Sequence, residues 1–148
     1  MTVYTGSCLC GTVQYEATKL EPHMAHCHCS MCRKFHGAAF ATFGRVRAGN
    51  FRWLAGEEAL KSFVASNGTT RKFCGTCGSS LIFVSSQDSG EYVEFTLGTL
   101  DSDISERPDA HIYVGSKANW YEIADGLPRF EEGRSQGLSL PPDSGEKK

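Results

Sequence analysis

Hydrophobic and polar residues alternate in short runs along most of the chain, and a two-residue period predicts strands rather than helices. In 12–17, Val13, Tyr15 and Ala17 fall on one face, as in a half-buried strand. Residues 38–43, small and aromatic, are also strand-like, and further strands are predicted at 51–54, 60–65, 69–73, 80–84, 91–97 and 110–114. Gly, Asn, Asp and Ser lie between these runs, as turns require. Asn67-Gly68 reads as a hairpin turn, and the polar stretch 85–90 as a longer one. Helical signal is confined to one or two turns at 31–36, with Ser30 as the expected N-cap. The pattern therefore predicts a mainly β fold of antiparallel sheets with short helical turns. Residues 133–148 change character, with Ser, Gly, Pro141-Pro142 and charge and only two leucines. Such a segment buries too little surface to offset its ordering entropy, so the expectation is one domain over 1–132 and a flexible tail over 133–148.

The length of 148 residues fits one domain with a core that needs no crosslinks. No apolar run is long enough to span a bilayer, so no membrane partner is expected. The opening residues lack a basic region followed by an apolar one, which predicts no secretory signal and a cytoplasmic location. A net charge of -2 argues against broad nucleic-acid binding. Local basic groups remain at Arg33-Lys34, Arg45, Arg47, Arg52 and Arg71-Lys72, read either as solvated surface or as the lining of a pocket for an anionic small molecule.

Seven cysteines do not suit a disulfide framework in a reducing compartment, and an odd count leaves one over. They fall into C-x-C (Cys8, Cys10), C-x-C-x-x-C (Cys27, Cys29, Cys32) and C-x-x-C (Cys74, Cys77). Zinc takes four soft or borderline ligands in a tetrahedron, and each short spacing places two sulfurs on one side of an ion. Pairing Cys8 and Cys10 with Cys74 and Cys77 makes a closed, structural Cys₄ site. The alternative, a redox dithiol, lacks the βαβ context that such a motif uses.

Cys27, Cys29 and Cys32 then supply three ligands, the pattern of a catalytic zinc with an open position. Alternatives are completion by a nearby histidine (His23, His26, His28 or His36) or a metal-free redox cluster. Three thiolates around Zn²⁺ leave a net negative, electron-rich centre. That centre suits binding a further thiol, lowering its pKa and presenting it to a small electrophile such as an aldehyde, more than it suits water activation.

Four stretches carry a resemblance. Gly6-Ser-Cys-Leu-Cys-Gly-Thr-Val-Gln-Tyr15, Cys27-His-Cys-Ser-Met-Cys-Arg-Lys-Phe-His-Gly-Ala38, Phe73-Cys-Gly-Thr-Cys-Gly-Ser79 and His111-Ile-Tyr-Val-Gly-Ser-Lys-Ala-Asn-Trp120 resemble, in order, the glutathione-dependent formaldehyde-activating enzyme (GFA, or CENP-V) family. The resemblance implies a β-rich, zinc-stabilised Mss4-like fold and two zinc ions per chain. It implies a structural zinc on Cys8, Cys10, Cys74 and Cys77, and a catalytic zinc on Cys27, Cys29 and Cys32. The implied activity is a zinc-dependent carbon–sulfur lyase reaction on a small thiol adduct, joining formaldehyde to glutathione as S-hydroxymethylglutathione.

Around the clusters, Arg33 and Lys34 are candidates for holding a carboxylate of a glutathione-like ligand, or for offsetting the zinc–thiolate charge. Ser30 caps a turn or supports a cysteine sulfur. His111 is either a core histidine with its hydrogen bond made or a general base. Trp53 and Trp120 read as core or pocket wall. Ser116-Lys117 follows a strand and is a candidate to approach the open site. The rival function is a non-catalytic zinc module for a protein or nucleic-acid partner, which would lack a free coordination position. A redox or metal-storage protein, with labile zinc and oxidisable thiols, is the third.

Overall fold

The structure, a computed structural model, describes residues 1–134 and 139–140, so most of the expected tail lies outside the described residues. In chain order its strands are β1 (Val3–Ser7), β2 (Gln14–Thr18), β3 (Ala25–Cys27), β4 (Ala41–Arg47), β5 (Phe51–Ala55), β6 (Leu60–Val64), β7 (Thr70–Cys74), β8 (Ser80–Val84), β9 (Tyr92–Thr96), β10 (Ala110–Ile112), β11 (Arg129–Phe130) and β12 (Ser139–Leu140). One α-helix, α1 (Ser30–His36), is present among the described residues. None of their helices is long and apolar enough to cross a membrane. The fold is mainly β, as the alternation predicts. The chain divides into two compact units, Met1–Pro22 with Phe43–Glu106, and His23–Thr42 with Arg107 onward.

In the first unit, β1, β2 and β5 form one antiparallel sheet, and β4, β9, β8, β7 and β6 follow one another in a second run of antiparallel pairs. Val13, Tyr15 and Ala17, the face read from alternation, are all buried and join Val46, Leu81, Ile82 and Phe95 in one core. Tyr15 stacks on Phe51 at 5.1 Å between ring centroids and meets Trp53 and Phe95 at 6.1 and 5.5 Å. Its hydroxyl reaches the Thr99 hydroxyl at 2.7 Å, so the polar end of this buried ring is paired. Cys8 and Cys74 belong to the same core cluster, which seats one cysteine group on packed side chains.

The predicted turn at Asn67-Gly68 closes the β6–β7 hairpin: Gly68 sits at φ 87° and its N–H donates to the Ala65 carbonyl. The Asn67 side chain accepts from the Thr69 N–H. Arg45 and Arg47 lie against the Tyr92 ring, Arg47 pairs with Glu91, and Arg52 pairs with Glu16. Arg71 departs from the surface reading: it is 3% exposed and stacks over Phe83 at 5.1 Å.

Gly56 turns the chain between β5 and β6 at φ 78°, and a Cβ there would lie 2.1 Å from the Thr12 carbonyl oxygen. Gly90, at φ 81°, has nothing within 4 Å of that position. Gly56→Ala is therefore expected to cost at least about 2 kcal/mol, from a left-handed backbone plus a clash with main chain. For a chain of this size that lowers the melting temperature by roughly 4–8 °C. Gly90→Ala carries the backbone cost alone, so equal melting of the two variants in thermal denaturation would contradict the clash.

In the second unit, β10 lies between β3 and β11 and is parallel to both, while β11 and β12 are antiparallel. These two parallel pairs add to sheets that are otherwise antiparallel, as expected. Strands joined by a long connection are free of the hairpin constraint, and β3 and β10 are separated by more than 80 positions of chain, 27 to 110. The strand expected at 38–43 begins later, at Ala41, because the preceding residues close the helix. Gly37 is left-handed at φ 60°, and its N–H and that of Ala38 both donate to the Arg33 carbonyl.

Candidate metal centres

Cys8 and Cys10 follow β1, and Cys74 and Cys77 end β7 and begin the next turn. The loop folds locally: the Cys8 N–H donates to the Val13 carbonyl, and the Gly11 N–H to the Cys8 carbonyl. Gly78, left-handed at φ 84°, donates its N–H to the Cys74 carbonyl and turns the second loop the same way. The four sulfurs all lie within 4.8 Å of one another. Cys10 Sγ is 3.6 Å from Cys8 Sγ and 3.8 Å from Cys74 Sγ. A tetrahedron with zinc–sulfur bonds of about 2.3 Å has sulfur–sulfur edges of about 3.8 Å. A disulfide needs about 2.05 Å, so the spacing is that of metal ligands.

The protonation pattern agrees. Burial pushes the Cys8 thiol up, against the Val13 N–H that favours its thiolate, and its cysteine neighbours push it further. Contacts with Thr12 lower Cys10, and Ser79 lowers Cys77 to about 5. Four touching thiols cannot all ionise without a cation among them, and this donor set fits Zn²⁺.

The second group, Cys27, Cys29 and Cys32, comes from the end of β3 and the start of α1, and its three sulfurs also lie within 4.8 Å of one another. The helix cap corrects the Ser30 expectation. Cys29 is the N-cap, extended at φ -63° and ψ 153°, and its sulfur accepts from the Cys32 N–H at 3.2 Å, while Ser30 is exposed on the first helical turn. The sulfur is a larger acceptor than a hydroxyl, so one side chain caps the helix and faces the other two cysteines. Shared hydrogen bonds with Cys29 and Cys32, then burial, push the Cys27 thiol far up. This set too fits a soft cation.

Among the described residues no histidine nitrogen or carboxylate oxygen lies within 4.8 Å of all three of these sulfurs. The nearby histidines have other contacts. His23 Nδ1 is 3.1 Å from Asp109, and His26 Nδ1 is 2.7 Å from the Thr42 hydroxyl. Burial holds His26 down, to about 4, so it is neutral at physiological pH. His28 Nε2 lies 2.8 Å from His111 Nδ1, and His111 Nε2 lies 3.0 Å from Asp125. His111 is thus a buried histidine with both ring nitrogens engaged. Burial raises the Asp125 carboxyl, but hydrogen bonds from His111 and the Leu127 N–H outweigh it and leave it below its ordinary value.

The basic candidates divide. Arg33 donates from Nε to the Ser116 carbonyl at 3.1 Å, and Lys34 is exposed on the helix. Lys117 turns its ammonium onto the carbonyls of Ala118 and Tyr121 in its own loop. Trp53 packs in the core, whereas Trp120 is 70% exposed and is no core residue.

Two further residues of this unit are not singled out as site candidates by the sequence, Tyr113, inside the run expected as a strand, and Asp125. Tyr113 is left-handed at φ 56°, and burial, then the charges of Cys27 and Cys29, push its hydroxyl above the ordinary phenol value. Asp125 lies in an irregular stretch with no periodicity to mark it.

The model of the glutathione-dependent formaldehyde-activating enzyme family matches residues 3–116. An uncharacterized lyase of Schizosaccharomyces pombe is 27% identical over 131 residues, 88% of this chain and 92% of that protein. A Halomonas elongata protein named for glutathione-dependent formaldehyde activation is 30% identical over 125 residues, 80% of this chain and 79% of its own length. A crystal structure of a Rhodobacter sphaeroides protein shares the fold, with a TM-score of 0.57 and 24% identity over 68% of this chain and 91% of that one. With both cysteine groups inside the matched span and assembled at metal-ligand distances, the chain belongs to the glutathione-dependent formaldehyde-activating enzyme family.

Proposed function

We infer that the chain is a zinc-dependent carbon–sulfur lyase acting on a small thiol adduct, with glutathione and formaldehyde as the first substrates to test. The observation that carries this reading is the contrast between the groups: four sulfurs in one, and three in the other. Cys8, Cys10, Cys74 and Cys77 fill every position of a structural ion. Cys27, Cys29 and Cys32 leave a place for a substrate thiol. Zinc held there supplies a soft acceptor that lowers the pKa of an incoming thiol.

The remaining work falls to this chain's own side chains. Arg33, fixed in direction by Ser116, and Lys34 bring positive charge to the helix that carries Cys32, and both suit the carboxylates of a glutathione-like thiol. Tyr113, with its pKa raised, stays protonated and serves as a donor toward a carbonyl oxygen. In the forward direction a carbon–sulfur bond forms and the carbonyl π pair moves to oxygen. That oxygen takes up a proton, and the thiol has lost one. The reverse releases thiol and aldehyde. The names of the two relatives, a lyase and a formaldehyde-activating enzyme, support the same class.

Exchange NMR of glutathione and formaldehyde tests the substrate pair. Added protein is expected to speed exchange between free glutathione and its hydroxymethyl adduct, and an exchange rate equal to the spontaneous one would remove glutathione and formaldehyde as substrates.

A further inference from the structure

The stretch His26-Cys27-His28-Cys29 alternates, and the structure sorts it by face. The sulfurs of Cys27 and Cys29 gather with that of Cys32, while the His26 and His28 rings lie 4.9 and 5.0 Å from the His111 ring. In extended backbone the side chains of successive residues point to opposite faces, so whatever holds His28 also decides where its two cysteine neighbours point. His28 is held on both levels. Its N–H donates to the Ile112 carbonyl at 2.9 Å, and its Nε2 lies 2.8 Å from His111 Nδ1. Both rings are essentially fully buried.

The proton pattern along this line has one neutral solution. The Asp125 carboxylate only accepts, so His111 Nε2 carries a proton and donates. A neutral His111 then has a bare Nδ1, and His28 Nε2 must carry the proton between them. Neither ring can turn over without losing a buried hydrogen bond. The carboxylate that starts the sequence is itself fixed. Its Oδ1 accepts from the Leu127 N–H at 3.1 Å, and the Arg129 guanidinium holds the carbonyls of Ile123 and Asp125.

We propose that Asp125 is a positioning residue for the three-cysteine site: acting through His111 and His28, it holds the Cys27–Cys29 segment in the geometry that binds metal. The proposal rests on the reading of Cys27, Cys29 and Cys32 as metal ligands. Partners that touch a ligand typically change metal affinity by about 10–100-fold when removed, and Asp125, which reaches the cysteines only through His111, His28 and backbone, is expected at the low end, about 10-fold. Asp125 does not touch a cysteine, so its effect is confined to the site served by His28 and leaves the four-cysteine site alone.

Two variants separate this from a general loss of structure. Asp125→Ser keeps a short acceptor for the Leu127 N–H but cannot reach His111. Asp125→Asn keeps an acceptor oxygen for the His111 ring N–H and is the conservative rescue. The protein is loaded with ¹¹³Cd²⁺, whose NMR resonance reports the number of sulfur ligands, and titrated with a chelator. The unaltered protein is expected to show two resonances. In Asp125→Ser the three-sulfur resonance should be lost at about 10-fold lower chelator, with the four-sulfur resonance unmoved and Asp125→Asn close to the unaltered protein. Equal retention in Asp125→Ser, parallel loss of both resonances, or an Asp125→Asn as weak as Asp125→Ser would each overturn the proposal. One resonance in the unaltered protein would instead remove the two-site reading beneath it, and the proposal with it.

Discussion

Cys74→Ser is expected to abolish the stable fold of the first unit. Cys74 is 0% exposed, ends β7, and sits in the core cluster with Val13, Tyr15, Leu81 and Phe95. Its sulfur is 3.8 Å from Cys10 Sγ, so it belongs at once to the four-sulfur group and to the packed interior. A structural zinc in a small domain contributes an apparent ~10–16 kcal/mol at neutral pH. Whole-domain stability is about 5–15 kcal/mol. Losing the ion therefore removes as much as the domain has. A serine hydroxyl is a poor zinc ligand, and three thiols would remain pressed together without a cation. The expected measurements are a fall in bound zinc by elemental analysis and loss of the cooperative thermal transition in circular dichroism. A Cys74→Ser protein with two zinc ions and an unchanged transition would show that the four-cysteine group is not the metal site on which the first unit depends.

Cys29→Ser should behave in the opposite way, with the fold kept and one zinc and the chemistry lost. Serine is a strong N-cap, so the hydrogen bond from the Cys32 N–H to the cap side chain survives the change. What is lost is the soft ligand. Lewis-acid assistance from a bound metal supplies several kcal/mol of transition-state stabilisation, so turnover of the thiol adduct should fall by about 10³-fold. Zinc content should drop from two per chain to one, with the melting transition of the four-cysteine unit preserved. Cys29→Ala removes the cap as well and should cost about 1 kcal/mol more in stability. Two retained zinc ions in Cys29→Ser, or unchanged exchange of the thiol adduct, would break the link between this cluster and the reaction.

The two substitutions are chemically identical and differ only in where the chain puts each sulfur. The grouping of the cysteines was legible beforehand, because C-x-C and C-x-x-C spacings confine two sulfurs to one side of an ion whatever surrounds them. Most strands were legible for a similar reason, since alternation is a local property of an extended chain. The alternating face of Val13, Tyr15 and Ala17 is buried as expected, and β8 has the expected bounds, Ser80–Val84. β1 was missed because its inward positions are Tyr4 and Gly6, and a glycine carries no hydrophobic signal. β3 is three residues long, too short for a period to show, whereas β10, equally short, falls inside the run expected at 110–114. The burial of Arg71 was not legible, because an arginine's charge says nothing of the Phe83 ring it stacks over.

By itself, then, the sequence determined a mainly β chain, two sets of cysteines suited to metal, and family membership through motifs that survive in order. These are all properties of neighbouring residues, set by backbone period and ligand spacing. Only the tertiary structure decided that Cys29 rather than Ser30 caps the helix. It alone gave His23, His26 and His28 the partners Asp109, Thr42 and His111, brought Tyr113 beside the three sulfurs, and lined up Asp125, His111 and His28. Those contacts join positions as far apart as 28, 111 and 125 through a parallel pairing of β3 with β10, and no local pattern encodes a pairing whose partners are that distant.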